Sequence, residues 1–191
     1  MQGQQTLLID GDLRRPSLEP EFLKGRNRGM TDFLRGRVEP HEVCYPTQVK
    51  GLYFIPSGEL RSNPAELLSG PYLQDLLEKG GQFFDKIIID SAPLVPVSDA
   101  LMLARYADAT CLVVRAGTTK RQELNQVRDI LSKTGLSLAG YVLNDVAGGD
   151  VGSSYINYMS HQQTRGSKSK NNEQPALPMK ATPMGAQAAA L

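Results

Sequence analysis

Two aspartates and two arginines follow the first apolar run of the chain, in Leu-Leu-Ile-Asp10-Gly-Asp12-Leu-Arg14-Arg15-Pro. Carboxylates this close in the chain repel each other unless a cation lies nearby. Arg14 and Arg15 could supply that positive charge, or could bind a phosphate through paired hydrogen bonds. The stretch therefore indicates a site for a metal ion and a phosphate group. The alternative is a solvated charge cluster at the end of a strand.

A third aspartate follows a second apolar run, in Ile-Ile-Ile-Asp90-Ser-Ala-Pro. Carboxylate oxygens suit Mg²⁺, which prefers six oxygen ligands and keeps several of its waters. In open α/β sheets, ligands bind beyond the carboxyl ends of the strands. We therefore expect Asp10 and Asp90 at the edge of a sheet where ligands bind, with Asp90 placed to hold or water-bridge a metal ion. The alternative for Asp90 is a helix cap or a loop acid without a ligand.

Apolar runs and helical stripes alternate along the chain, which predicts an α/β fold with a mostly parallel sheet flanked by helices. Strands are predicted over residues 5–10, 52–56, 86–90, 109–114 and 139–143. Helices are predicted over residues 63–68, 71–79, 98–104 and 119–133, the first capped by Asn63 and the third by Ser98 or Asp99. The continuous apolar run 109–114 predicts a strand covered on both faces.

Length and composition favour one globular domain with a tail. The chain has 191 residues and a net charge of +1, so its charge gives no indication of a nucleic-acid surface. Residues 1–147 are expected to fold, and residues 148–191, rich in small and polar side chains from residue 160, are expected to be a disordered tail. No apolar run reaches the roughly 18 residues of a membrane span. A cytoplasmic protein is expected, at the inner face of the membrane only through a partner.

Taken together, these motifs resemble the bacterial protein-tyrosine kinases (BY-kinases) of capsule and exopolysaccharide synthesis. The Asp10 stretch is similar to the second nucleotide motif of that family, Walker A′, and the Asp90 stretch is similar to its Walker B motif. Asn63-Pro-Ala-Glu-Leu-Leu matches the segment between them. The resemblance runs from residue 5 to about residue 146 in the family's order, so it is specific to this family among nucleotide-binding folds.

The resemblance implies a P-loop NTPase-like domain that uses ATP and Mg²⁺. It implies catalytic roles for Asp10, Asp12 and Arg14, the two aspartates acting at the metal and at the attacking tyrosine hydroxyl. It implies that Asp10 and Asp90 are metal ligands and that Asp90, the Walker B acid, contacts the cofactor. Asn144, at the end of the last predicted strand, stands where this fold class often recognises adenine.

The resemblance also implies phosphoacceptors and partners. Tyr155 and Tyr158 stand where the family carries the C-terminal tyrosines that it phosphorylates in trans within a ring of subunits. The partners expected are a membrane chain-length regulator of polysaccharide export and, for a homo-oligomer, other copies of the chain. Two other functions remain open at this point: a non-catalytic, pseudokinase-like docking partner of a membrane co-polymerase, and a partitioning-type ATPase.

One family motif does not occur in the 191 residues. The pattern Gly-x-x-x-x-Gly-Lys-Ser/Thr, which cradles the phosphates in P-loop enzymes, is not found. In the family this loop and its strand precede the Walker A′ strand, so the chain is expected to begin after them. We therefore expect weak ATP binding and little activity from this chain alone, together with unpaired strand edges in the sheet.

Overall fold

The computed structural model describes residues 3–25, 28–59, 63–95, 98–136, 138–146 and 187–190. Within these ranges seven strands form one sheet in the order β2-β3-β1-β4-β7-β5-β6. The strands are β1 (Thr6–Asp10), β2 (Tyr45–Pro46), β3 (Leu52–Ile55), β4 (Lys86–Asp90), β5 (Ala109–Arg115), β6 (Leu138–Asn144) and β7 (Gln187–Ala190). Every pairing is parallel except that of β2 with β3. The predicted α/β class with a mostly parallel sheet is confirmed.

Six α-helices and one short 3₁₀-helix (Pro40–Glu42) connect the strands in the described residues. The α-helices are α1 (Glu19–Phe22), α2 (Met30–Leu34), α3 (Pro64–Leu68), α4 (Tyr72–Gly80), α5 (Asp99–Ala104) and α6 (Arg121–Thr134). The predicted cap of α3 is confirmed, because the Asn63 side chain accepts a hydrogen bond from the Ala65 N–H at 3.2 Å. Gly135 ends α6 in the left-handed conformation that favours glycine.

The hydrophobic core lies around β1 and β4, the strands that carry the aspartates. Leu7 and Ile9 of β1 and Ile87 and Ile89 of β4 are buried, and Leu103 of α5 belongs to the same cluster. Burying each of these side chains contributes about 1.5–3 kcal/mol to stability. The two strand ends that carry Asp10 and Asp90 are therefore anchored in the hydrophobic core.

The far side of the sheet differs from expectation. No residue of β5 is buried, and Val113 is 45% exposed, so the prediction of a strand covered on both faces was wrong. On the neighbouring β6, Tyr141 is 72% and Leu143 is 59% exposed. The apolar run located the strand correctly, but its burial depends on what packs against it. Among the described elements, α6 contributes a single buried residue, Val127.

The strand β7 also differs from expectation. Residues 187–190 were assigned to a disordered tail, yet they form a strand that pairs with β4 along its length and with β5 at two positions. The composition argument counted large apolar side chains, whereas backbone pairing is what places this segment in the sheet. The remaining tail residues up to 186, and the residues 147–150 before them, lie outside the described residues. Within the described ranges, no helix combines the length and apolarity that crossing a bilayer requires.

Candidate functional site

Asp10 and Asp90 lie side by side at the carboxyl edge of the sheet. They are the last residues of β1 and β4, and the parallel register pairs them directly with each other. Because parallel strands end at the same edge, the two apolar runs deliver their acids to one place. The structure thus brings together the two aspartates that the sequence analysis expected to meet.

Gly11 permits the loop after β1 to approach β4 closely. Its N–H donates a 2.8 Å hydrogen bond to the backbone carbonyl of Asp90. A Cβ atom at this position would lie 2.6 Å from the same carbonyl oxygen and 2.9 Å from Leu103 Cδ1. Any side chain here would therefore push the two aspartate-bearing strand ends apart.

Asp10 is a buried carboxyl group with one unpartnered oxygen. Its Oδ2 accepts a 3.3 Å hydrogen bond from the Leu18 N–H. Its Oδ1 is buried and has no hydrogen-bond partner among the described residues. Burial, with a smaller contribution from the charge of Asp90, raises the pKa of Asp10 to about 6. Burial and the charge of Asp12 likewise raise the pKa of Asp90. A cation beside these carboxylates would lower both pKa values, because it favours the charged forms.

Asp12 is oriented by its own loop. Its Oδ1 accepts hydrogen bonds from the backbone N–H groups of Arg14 at 3.1 Å and Arg15 at 2.9 Å. Side chains of aspartate commonly close turns in this way. The half-exposed Asp12 carboxylate is thereby held at the mouth of the site, next to the buried Asp10 and the half-buried Asp90.

Arg14 does not neutralise Asp10 or Asp12 by a direct ion pair, as the sequence analysis had considered. Its Nε donates to Asp99 Oδ2 at 2.6 Å and its Nη2 donates to Asp99 Oδ1 at 3.1 Å. The Asp99 side chain is only 1% exposed, whereas that of Arg14 is 40% exposed. The paired hydrogen bonds with Asp99 raise the pKa of Arg14. The exposed Arg15 side chain follows Arg14 in the same loop.

Of the two predicted caps of α5, Ser98 occupies the N-cap position and Asp99 does not. Asp99 is the first residue of that helix, and its carboxylate is bonded to Arg14. The other candidate cap, Ser98, makes no side-chain capping bond. The available signal was an acid in the apolar segment Asp99-Ala-Leu-Met-Leu-Ala, where a charge requires a distant partner.

The site fits Mg²⁺ only with ligands from outside these side chains. Among the described residues, no group of three His, Cys, Asp or Glu side chains is placed to hold a metal ion. The carboxylate donors and the orphaned Asp10 Oδ1 nevertheless suit this ion. Magnesium is usually held by one or two carboxylates, several waters and the phosphates of a substrate. The residues present therefore fit an ion whose remaining ligands are waters or phosphate oxygens.

Comparison with known proteins identifies the family. No protein-family profile matches the chain. The tyrosine-protein kinase CpsD of Streptococcus pneumoniae is 35% identical over 145 residues, which cover 74% of this chain and 63% of that protein. The tyrosine-protein kinase YwqD of Bacillus subtilis is 31% identical over 143 residues, covering 75% of this chain and 60% of that protein. The chain thus spans less than two thirds of these curated relatives.

Solved structures agree with these relatives. The VpsO kinase domain superposes with a TM-score of 0.71 at 35% identity, covering 76% of this chain and 72% of that domain. The chain belongs to the bacterial tyrosine-kinase family. The kinase domain of Escherichia coli ETK gives a TM-score of 0.71 at 30% identity, over 75% of this chain and 57% of that one. MinD of Pyrococcus horikoshii, complexed with Mg-ADP, matches at 22% identity and a TM-score of 0.59, a likeness of P-loop NTPase-like fold alone.

In this member of the bacterial tyrosine-kinase family, Asn144 lies on the same cleft as Asp90. The cleft has a volume of about 550 Å³ and is also lined by Ser91, Arg115 and Thr119. Asn144 Oδ1 accepts a 2.9 Å hydrogen bond from the backbone N–H of the following residue. Its expected role in adenine recognition stays a prediction. Tyr155 and Tyr158, the phosphoacceptors expected in this chain, lie outside the described residues.

Proposed function

We propose that this chain carries the Walker A′ and Walker B part of an ATP-dependent protein-tyrosine kinase that acts in capsule or exopolysaccharide synthesis. The single observation that carries the proposal is the pairing of Asp10 with Asp90 at the sheet edge, where Asp10 Oδ1 is buried and has no hydrogen-bond partner among the residues that the structure describes. The names of the relatives support the kinase assignment. Identities of 30–35% to tyrosine kinases, against 22% to MinD, favour a kinase over a partitioning-type ATPase.

The chemistry assigned to the residues follows from their positions. Mg²⁺, when bound with ATP, would supply charge neutralisation between the phosphate oxygens. Asp10 and Asp90 would hold that ion, since both carboxylates are desolvated and lie side by side. Asp12, fixed at the mouth of the site by its loop, would accept the proton of the attacking tyrosine hydroxyl. Arg14 would offer its exposed guanidinium edge to a phosphate oxygen.

The chain by itself is proposed to be a weak catalyst. The 191 residues do not contain the phosphate-cradling motif Gly-x-x-x-x-Gly-Lys-Ser/Thr. Backbone N–H groups and a lysine in that motif supply most of the phosphate positioning in P-loop enzymes. We propose further that the physiological partner is a membrane chain-length regulator of polysaccharide export, with Tyr155 and Tyr158 as phosphoacceptors. A relative from Klebsiella pneumoniae is described as a putative tyrosine-protein kinase in the cps region, which supports the capsule assignment.

The test is binding of Mg-ADP and Mg-ATP to the 191-residue chain, measured by isothermal titration calorimetry. We expect weak binding that requires Mg²⁺ and is lost in Asp10→Asn and in Asp90→Asn. Asp129→Asn serves as a matched control, because this exposed acid lies on α6 and, within the described part of the chain, its side chain pairs with the neighbouring Arg128. Binding that is equal in wild type and both site variants would refute the proposal.

Two further outcomes separate the alternatives. If the chain binds no nucleotide but captures the cytoplasmic segment of a membrane co-polymerase, the docking-partner function is correct instead. Robust phosphorylation of Tyr155 or Tyr158 by the isolated chain, followed by mass spectrometry, would confirm the kinase function. It would also refute the proposed weakness of this chain alone.

A further inference from the structure

We propose that Asp99 is a positioning residue that holds the Arg14 guanidinium against α5 and away from the carboxylates of Asp10, Asp12 and Asp90. The proposal rests on the function proposed above, because it explains how the acidic site remains open to a metal ion. It assigns a role to a buried acid that lies outside the Walker A′ and Walker B motifs.

The geometry shows a two-point attachment. One edge of the guanidinium, formed by Nε and Nη2, is bonded to the two oxygens of Asp99 at 2.6 and 3.1 Å. Such paired hydrogen bonds fix both the position and the plane of an arginine. Asp99 is itself buried at the start of α5, beside Ala100 and Leu103, which belong to the packed interior. The arginine is therefore anchored to a helix that packs into the interior and not to its own loop.

Without that attachment, the Arg14 side chain could pair with other acids of the site. Asp12 precedes it by two residues and already interacts with it electrostatically. Asp10 and Asp90 lie at the ends of the adjoining strands, and burial disfavours the charge of both. An unattached guanidinium would be drawn to these carboxylates. It would then occupy the place of the metal ion and cancel the negative charge that binds it.

A purely structural ion pair is the competing explanation. In that case Asp99 would only join the β1 loop to α5, and its loss would act through stability. Breaking a buried pair by removing one partner does destabilise proteins, because the other charge is left uncompensated. Here the Arg14 side chain is 40% exposed, so after loss of Asp99 it can turn to water or to the acids of the site. A purely structural pair predicts a loss of stability alone, whereas the positioning role predicts a change in metal binding that depends on Arg14.

The first measurement is the NMR signal of the Arg14 Nε–H group in the metal-free 191-residue chain. We expect a resolved, slowly exchanging signal in wild type that is lost in Asp99→Asn and partly retained in Asp99→Glu. Asp75→Asn is the matched control, since it removes an exposed pair with Lys79 at 2.9 Å and should leave the Arg14 signal unchanged. An Arg14 signal that is the same in wild type and Asp99→Asn would overturn the proposal.

The second measurement is Mn²⁺ binding, followed by electron paramagnetic resonance, with Mn²⁺ as the probe for the magnesium site. We expect Asp99→Asn to weaken Mn²⁺ binding by about tenfold, a typical effect of losing an outer-shell partner of a metal site. Adding Arg14→Gln to Asp99→Asn should restore most of that affinity, because the competing cation is gone. Equal weakening in the single and double variants would overturn the proposal, since Asp99 would then not act through Arg14.

The two proposals fail separately. A wild-type chain that binds no Mn²⁺ would overturn the metal-dependent function proposed above. The Arg14 Nε–H signal needs no metal, so in that case it alone would decide whether Asp99 holds the arginine. Thermal unfolding of each variant, recorded by circular dichroism, verifies that the compared chains are folded.

Discussion

Replacing Asp10 with asparagine should stabilise the metal-free chain at neutral pH while removing a ligand of the proposed metal ion. The buried Asp10 carboxyl group has its pKa raised from 3.8 to about 6, mainly because burial disfavours its charged form. That difference corresponds to roughly 3 kcal/mol of destabilisation once the group is ionised in both the folded and unfolded chain. Asparagine keeps the shape and carries no charge, so it avoids this cost.

The pH dependence has a definite sign. Between pH values of about 3.8 and 6, the folded chain binds the Asp10 proton more tightly than the unfolded chain does. Stability therefore falls as pH rises through that window, and the penalty is complete above it. The free energy of unfolding of Asp10→Asn, relative to wild type, should increase by about 2–3 kcal/mol between about pH 4 and about pH 7.5. Any cost of burying the amide is the same at both pH values and cancels.

The assay is urea unfolding followed by circular dichroism at the two pH values, without metal and then with Mg²⁺. Mg²⁺ should stabilise wild type, since a ligand that binds only the folded chain raises its stability, and should have little effect on Asp10→Asn. The control Asp129→Asn should change stability by less than about 0.5 kcal/mol at either pH. A stability difference between Asp10→Asn and wild type that does not vary with pH would refute the reasoning.

Three other predictions concern packing and accessibility. Gly11→Ala should lower the free energy of unfolding by about 1–3 kcal/mol in thermal or urea unfolding, because its Cβ would lie 2.6 Å from a backbone carbonyl of β4. Gly140→Ala, where a Cβ meets nothing within 4 Å, is its control and should change little. Leu103→Ala should cost about 2–5 kcal/mol, since this side chain is fully buried, and a smaller loss would place it outside the core. Burial raises the pKa of Cys44 to about 11, which lowers the fraction of reactive thiolate. In a Cys111→Ser chain at about pH 7.5, alkylation of Cys44 in the folded state should therefore be on the order of a hundredfold slower than in urea, as followed by mass spectrometry. Equal rates would contradict the burial.

Much of the fold could be predicted because the local signals agree with one another. The apolar runs that end in Asp10 and Asp90 are bounded by loop residues, and they match β1 and β4 closely. Asn63 and the proline after it marked the start of α3, because a cap and a fixed backbone angle are local requirements. The alternation of strands and helices predicted that β1 and β4 run parallel. Their parallel direction was enough to place the two aspartates at one edge of the sheet.

The rest depends on contacts between residues distant in the sequence. The attachment of Arg14 to Asp99 joins positions 85 residues apart, and no periodicity in either segment encodes it. The coverage of β5 depends on elements outside that strand, so its apolar run could not determine burial. Gln187–Ala190 carry little side-chain signal, and their place in the sheet comes from backbone pairing with β4.

The charge balance of the site limits how the proposed nucleotide could bind. Three aspartates meet at the sheet edge, and the nearby Arg14 is bonded to a fourth, so the described residues leave Arg15 as the remaining arginine of the loop. A bare nucleotide would bring phosphate charge of the same sign to these carboxylates, and repulsion would oppose its binding. A nucleotide already carrying Mg²⁺ instead brings a cation to the unpartnered Asp10 oxygen. With the proposed function, the desolvated carboxylates would make metal and nucleotide binding depend on each other. The Asp99 attachment preserves that dependence by keeping the chain's own cation out of the metal position.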